Sequence, residues 1–157
     1  MGAFSKRKGL FLLELSLIMA ILLLGIGMTA PLFRNWQEEQ QVEMAAAAVS
    51  AIIRDVQESV KNGDERYPYG SDRLNLYFVN QGEAIQYYTL RGVNIVKPAG
   101  YLPKGVKVYK TTVLTFRKDG FAGTSDEYSV TLLSQNKKYR RVVVLAMYTG
   151  RTRIEKG

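Results

Sequence analysis

The side chains that could do chemistry in this sequence are few in kind. The 157 residues include no Cys and no His. Cys–His and Ser–His–Asp catalysis are excluded because the base is missing. Structural zinc lacks its thiolates and imidazoles, and catalytic zinc lacks its usual His. Carboxylates, Lys, Tyr and Ser remain, without an evident activating partner, so neither an enzyme nor a cofactor site is expected. Asp64, Glu65 and Asp72 fall in one polar stretch, but their spacing fits no calcium loop, and Arg66 and Arg73 lie beside them. No metal site is expected. Gly70, Gly82, Gly100, Gly120 and Gly123 form no phosphate-binding pattern and read as turn glycines. Two features keep chemical content: an acid inside an apolar run, and a basic C-terminal region.

The acid is Glu14. It follows Lys6, Arg7, Lys8, Gly9 and four apolar residues, and positions 15–33 carry no charge. The apolar stretch 10–33 is about long enough to cross roughly 30 Å of hydrocarbon as a helix. Cations before such a span hold that end in the cytoplasm, so the rest of the chain faces outward. A carboxylate at the bilayer centre costs about 2.5–3.5 kcal/mol, and less near an interface. Glu14 either snorkels to the headgroups or awaits a cation. A cut after Gly9 would create such a cation, the α-amine of Leu10, able to meet Glu14 of a neighbouring copy. Gly25, Gly27 and Pro31 lie within the same stretch. They are ordinary in a membrane helix, or they mark a segment able to loosen.

The elements that must position these residues can be read from periodicity. Val42, Ala46, Val49, Ile53, Val56 and Val60 recur at helical spacing, and the run 45–48 is alanine throughout. This predicts a second helical half over 34–62, packed on a sheet, with a short coiled coil as the alternative. Asn62-Gly63 supplies a stop, and 64–72 reads as a loop. Beyond it, 74–79 and 84–90 form a hairpin around 80–83. Further strands fall at 106–109, 113–117, 128–133, 139–148 and 152–154. The consecutive apolar residues at 142–145 suggest a central strand covered on both faces. The expected fold class is α+β: a long N-terminal helix, its first half membrane-spanning, packed on a small antiparallel sheet or sandwich. The expected division is 1–9, 10–33, 34–62 and 63–157.

A short basic leader, Gly9, four apolar residues, Glu14 and a long apolar run resemble the class III signal of type IV pilins and pseudopilins. The resemblance implies that a prepilin peptidase cleaves after Gly9 and methylates the new amine of Leu10, leaving 1–9 as a discarded leader. It implies assembly roles for Glu14 and for Pro31, which falls where many members have a helix-loosening proline. Leu10 stands where Phe is commonest. The implied partners are prepilin peptidase, other pilin or pseudopilin subunits and an inner-membrane assembly platform. The implied location is the cell (inner) membrane, single-pass, with a cytoplasmic N-terminus and an extracytoplasmic head assembled into a filament.

The stretches Leu102-Pro103-Lys104-Gly105-Val106, Leu114-Thr115-Phe116-Arg117-Lys118-Asp119-Gly120, Arg141-Val142-Val143-Val144 and Thr149-Gly150-Arg151-Thr152-Arg153-Ile154 resemble minor pseudopilins of the GspH/FimT type. They are also similar to Gram-positive competence pseudopilins. Gly150-Arg151-Thr152-Arg153 matches a Gly-Arg-x-Arg motif that this resemblance links to DNA uptake. On a strand, Arg151 and Arg153 share a face. With Lys137, Lys138, Arg140 and Arg141 they make a candidate DNA-binding patch, one suited to phosphates rather than to sequence. The alternative is a solvated basic edge that blocks strand association. The net charge of +8 favours anionic partners in general. The expectation is a minor pilin or pseudopilin of a type IV pilus-like or competence filament. A type II secretion pseudopilin, or a tethered polyanion-binding module outside any filament, is the alternative.

Overall fold

The computed structural model describes residues 3–61, 73–117, 128–146 and 149–157. Helix α1 spans Ala3–Lys61 and contains Pro31. A proline inside such a helix is tolerated where neighbouring helices, hydroxyl side chains or a local change of helix geometry re-satisfy the backbone group it frees. Eight strands follow: β1 Arg73–Gln81, β2 Ala84–Arg91, β3 Asn94–Tyr101, β4 Val106–Val108, β5 Thr112–Arg117, β6 Ser129–Ser134, β7 Arg140–Leu145 and β8 Thr152–Lys156. They form two four-stranded sheets with orders β3-β2-β1-β5 and β4-β6-β7-β8. The pairings among the described strands are all antiparallel. The α+β expectation holds: one long helix packs on antiparallel sheets.

The chain divides into two compact units, Met1–Gln37 and Glu38–Gly157. The second half of the helix therefore belongs with the strands. The reason is the stripe: Val42, Ala45, Ala46, Val49, Ile53 and Val56 are fully or almost fully buried. They join Leu74, Leu76, Phe78, Ile85, Leu114 and Phe116 of the first sheet and Val130, Leu132, Val143 and Leu145 of the second in one core. Val60 is only partly buried at the end of the stripe.

The β1–β2 hairpin turns on Gly82-Glu83, with Gln81 opposite Ala84. The strands thus run further into the expected turn than composition suggested. Strand β3 has no counterpart among the expected strands. Pro98, Ala99 and Gly100 disguise it, yet at a sheet edge a missing N–H is tolerated, and its pairing with β2 shifts register twice. Strands β4 and β5 are near in sequence but lie in different sheets. The amide of Asn80, in β1, joins the two sheets through β4: Nδ2 donates to the Val108 carbonyl at 2.8 Å, and Oδ1 accepts from the Val108 N–H at 2.9 Å. A side chain here does what a strand partner would do. Gly105, before β4, has φ +88, and a Cβ there would meet Gln41 Oε1 of the helix at 2.6 Å. The positive φ is what calls for glycine here; the end of the Gln41 side chain could swing aside.

Strand β7 is central, but it is covered on one face only. Val143 and Leu145 are buried while Val142 and Val144 are half-buried, so the expectation of cover on both faces is corrected. The stop at Asn62-Gly63, the loop 64–72, the turn at Lys118-Asp119-Gly120 and Tyr148 lie outside the described residues.

Ile53→Ala should lower the stability of the second unit by about 2–5 kcal/mol, since Ile53 is fully buried at the centre of the stripe. Urea unfolding of the full chain in neutral detergent, followed by circular dichroism, measures it.

Candidate functional site

In the first unit, the helix leaves its apolar residues uncovered. Phe11, Leu12, Leu13, Leu15, Leu17, Ile18 and the residues beyond them to Phe33 are all exposed where described. The stretch is long and apolar enough to cross a membrane. Gly9 and Leu10 fall within the helix, and their side chains lie outside the described residues. Glu14 is exposed on the same segment, and no hydrogen bond or ion pair to it is found among the described residues. Around Gly25 and Gly27 an added Cβ would meet nothing within 4 Å. The chain's own packing therefore does not require glycine at either position. Pro31 is exposed.

In the second unit, the six basic candidates separate into three situations. Arg141 is buried, with its side chain 6% exposed. Its Nη2 donates to Glu39 Oε1 and to Glu43 Oε2, each at 3.0 Å, and its Nη1 donates to the Arg140 carbonyl at 3.1 Å. Glu39 and Glu43 stand one helical turn apart, so both carboxylates reach one guanidinium. Burial by itself lowers the pKa of Arg141. The hydrogen bonds and charges of Glu43 and Glu39 outweigh that, and the pKa is raised above its ordinary value. Arg141 is therefore a fixed cation that locks helix to sheet, and it leaves the candidate DNA patch. Alternation on β7 is the cause: Arg140 points outward and Arg141 inward.

Lys137, Lys138 and Arg140 gather at one end of β7 and are exposed. Lys137 has φ 57 in the turn. Lys138 Nζ stands 5.4 Å from the centroid of the Tyr139 ring. The Arg140 side chain lies along Gly157, where an added Cβ would meet its Cγ and Cδ at 2.7 Å.

Arg151 and Arg153 are exposed at the opposite end, since Leu145 pairs with Thr152 and Arg141 with Lys156. Strand rise separates the two groups by roughly 15 Å. Arg153 is ion-paired with Glu155 two residues on, which shares its charge. Gly150 has φ +66 at the turn before β8. Its N–H donates to the Ala146 carbonyl at 2.8 Å, and its own carbonyl accepts from Gln57 Nε2 at 2.9 Å. Ser50 and Thr152 hydroxyls meet at 2.7 Å. The Gly-Arg-x-Arg stretch is thus anchored to the helix through Gly150 and Thr152, with both arginines outside.

Two residues escaped sequence reasoning. Lys107 of β4 and Arg140 of β7 both pair with Leu133, from opposite sides. Tyr109 continues β4, its N–H donating to the Thr131 carbonyl at 2.9 Å, and it is 71% exposed. The alternation Val106-Lys107-Val108-Tyr109 signals that Lys107 and Tyr109 share a face, but not which strand lies beside them.

Among the described residues no group of three acids, His or Cys could hold a metal ion; Asp64, Glu65 and Asp72 lie outside them. A small cleft is lined by Ile52, Asp55, Leu76, Tyr87, Thr89 and Lys97, and at its mouth Lys97 is ion-paired with Asp55. No protein-family profile, no curated protein and no solved structure matches the chain.

Glu39→Gln combined with Glu43→Gln should destabilise the protein by about 3–5 kcal/mol, because it leaves the buried Arg141 charge unpaired. Arg141→Met, which removes that charge and keeps the volume, should cost far less. Equilibrium unfolding of both variants at neutral pH checks the order.

Proposed function

We propose that this chain is a minor pilin or pseudopilin: a structural subunit cut after Gly9, held in the cell membrane by 10–33, and assembled through that helix into a type IV pilus-like or competence filament. One observation carries the reading. The apolar part of the helix, exposed wherever it is described between Phe11 and Phe33, bears a single exposed carboxylate near its start, with the pattern Gly9, Leu10 and Glu14 around it.

The physical case is one of compensation. Lipid covers the apolar side chains but does not neutralise a carboxylate. A neighbour's α-amine does, and such a pair sets the register between copies more than it adds stability. Gly25 and Gly27, unneeded by the chain's own packing, leave room for close approach of adjacent helices. Pro31 supplies a point where the helix can loosen as the subunit passes from bilayer to filament. Prepilin peptidase, sibling subunits and an inner-membrane platform are the partners this requires. The packed second unit, with its own core, is the part displayed outside the membrane. A type II secretion pseudopilus would use the same helix, and nothing in the helix distinguishes it. Neighbouring genes for a prepilin peptidase, an assembly ATPase and sibling chains would support a filament in either machine.

Because the chain contains no cysteine, a single Leu17→Cys change reports on neighbours cleanly. In native membranes with its partner genes present, mild oxidation should give cross-linked dimers between copies or with similarly marked siblings. Glu14→Ala should abolish them while the chain stays in the membrane. Unchanged cross-linking in the Glu14→Ala chain would refute the assembly role.

A further inference from the structure

In the β3-β2-β1-β5 sheet, the core residues Leu76, Phe78, Ile85 and Leu114 take one side and their sequence neighbours take the other. Register sorts those outward neighbours into three rows. Val113, Tyr77 and Tyr88 make the middle row. The rings of Tyr77 and Tyr88 are stacked, with centroids 5.1 Å apart and planes 8° apart. Val79, Gln86 and Tyr101 make the row on one side of it. Thr115, Asn75, Leu90 and Ile95 make the row on the other. Tyr101 and Ile95 are 60% and 67% exposed, and the rest are half-buried. None of the three rows holds a charge. Arg73 and Arg117 pair in register beyond them, at one corner.

We infer that this face binds an uncharged polysaccharide, its tyrosines taking the C–H faces of sugar rings and its amides and hydroxyls taking the sugar hydroxyls. The negative face of a tyrosine ring attracts the polarised C–H bonds of a pyranose. A sugar hydroxyl both donates and accepts, and so do the amides of Asn75 and Gln86 and the hydroxyls of Thr115 and Tyr101. These groups keep capacity for a ligand. Thr115 donates to Asn75 Oδ1 at 2.8 Å, which leaves Asn75 Nδ2 to donate outward. The Tyr101 hydroxyl meets Gln86 and Gln81 only at 3.4 and 3.3 Å, contacts long enough for a sugar hydroxyl to replace. Charge argues against a polyanion. The chain carries a net +8, yet no cation falls within the three rows to meet a phosphate, sulfate or carboxylate. Area argues against a second copy. Four strands and three rows cover about 400 Å², roughly half of what each partner gives to a standard protein interface. The face lies wholly within the second unit, so binding there does not depend on filament assembly.

The test titrates the full chain, in a detergent without sugar headgroups, against fluorescein-labelled cellohexaose, chitohexaose and maltohexaose, with anisotropy as the readout. At least one of these glycans should bind. Its affinity should change less than about two-fold between about 50 and about 500 mM salt, since no counterions are released. Tyr101→Ala should weaken binding roughly five-fold, the share of one ring contact. Tyr77→Val with Tyr88→Val should weaken it roughly ten-fold or more, as both stacked rings are lost. Tyr101 is exposed, so its variant should keep the parent's unfolding midpoint and serves even if the Tyr77/Tyr88 variant does not fold. The inference is overturned if the parent binds none of the three glycans, if Tyr101→Ala binds as tightly as the parent, or if affinity falls steeply with salt. It is equally overturned if no glycan binds and sedimentation shows self-association that Tyr101→Ala removes, which would give the face to a second copy.

Discussion

Among the described residues, nothing covers the apolar side chains between Phe11 and Phe33. The fourteen exposed large hydrophobic side chains described there cannot remain in water, since burying each is worth about 1.5–3 kcal/mol. The helix must therefore be solvated by hydrocarbon or by other helices. Glu14 sharpens the requirement. Hydrocarbon suits every neighbour it has except the carboxylate, and a second helix offering a positive end suits both. In the function proposed here, that one acid is what separates an element of assembly from a passive anchor.

The same continuous helix obeys a different rule after Gln37. There its apolar stripe is narrow, its small alanines let the strands approach, and four of its acids, Glu38, Glu39, Glu43 and Asp55, have partners within the unit. Glu39 and Glu43 hold Arg141, and Asp55 holds Lys97. The Arg141 contact is notable for its burial. A cation taken from water at that cost is retained only when both carboxylates meet it, so the triad specifies how the helix seats on β7 rather than adding much net stability. Asn80 plays a parallel part between the sheets, its amide closing on Val108 as a strand would.

Much of this was legible in the sequence, and the failures have physical reasons. The helical stripe was readable because burial on one face imposes a 3.6-residue period, and Val42, Val49, Ile53 and Val56 are the residues that carry it. The first hairpin was readable because Gly82 separates two alternating runs. Strand β3 was not, since Pro98 and Gly100 are read as breakers until an edge position and bulges are known. The basic region failed in a different way. Six cations close together in sequence looked like one patch, but alternation sends Arg141 inward, and antiparallel pairing carries Arg151 and Arg153 to the far end of β7. Conversely, Lys107 and Tyr109 lie some thirty positions before Arg140, and only pairing through β6 brings them to its face. Local order shows which side a residue takes; it does not show who its neighbours across the sheet are. The resemblance noted at the N-terminus rests on Gly9, Leu10 and Glu14, whose proposed roles lie in processing and in contacts between copies, neither of which a single folded chain displays.

The account is therefore most exposed at the first residue of the mature chain. Without a cut after Gly9 there is no amine on Leu10, and Glu14 has no designated counter-charge. Intact mass and N-terminal peptide mass of the chain purified from native membranes decide this directly. The account predicts a polypeptide that begins at Leu10 and carries one methyl group on its amine. A chain that begins at Met1 and forms the same assemblies would contradict it.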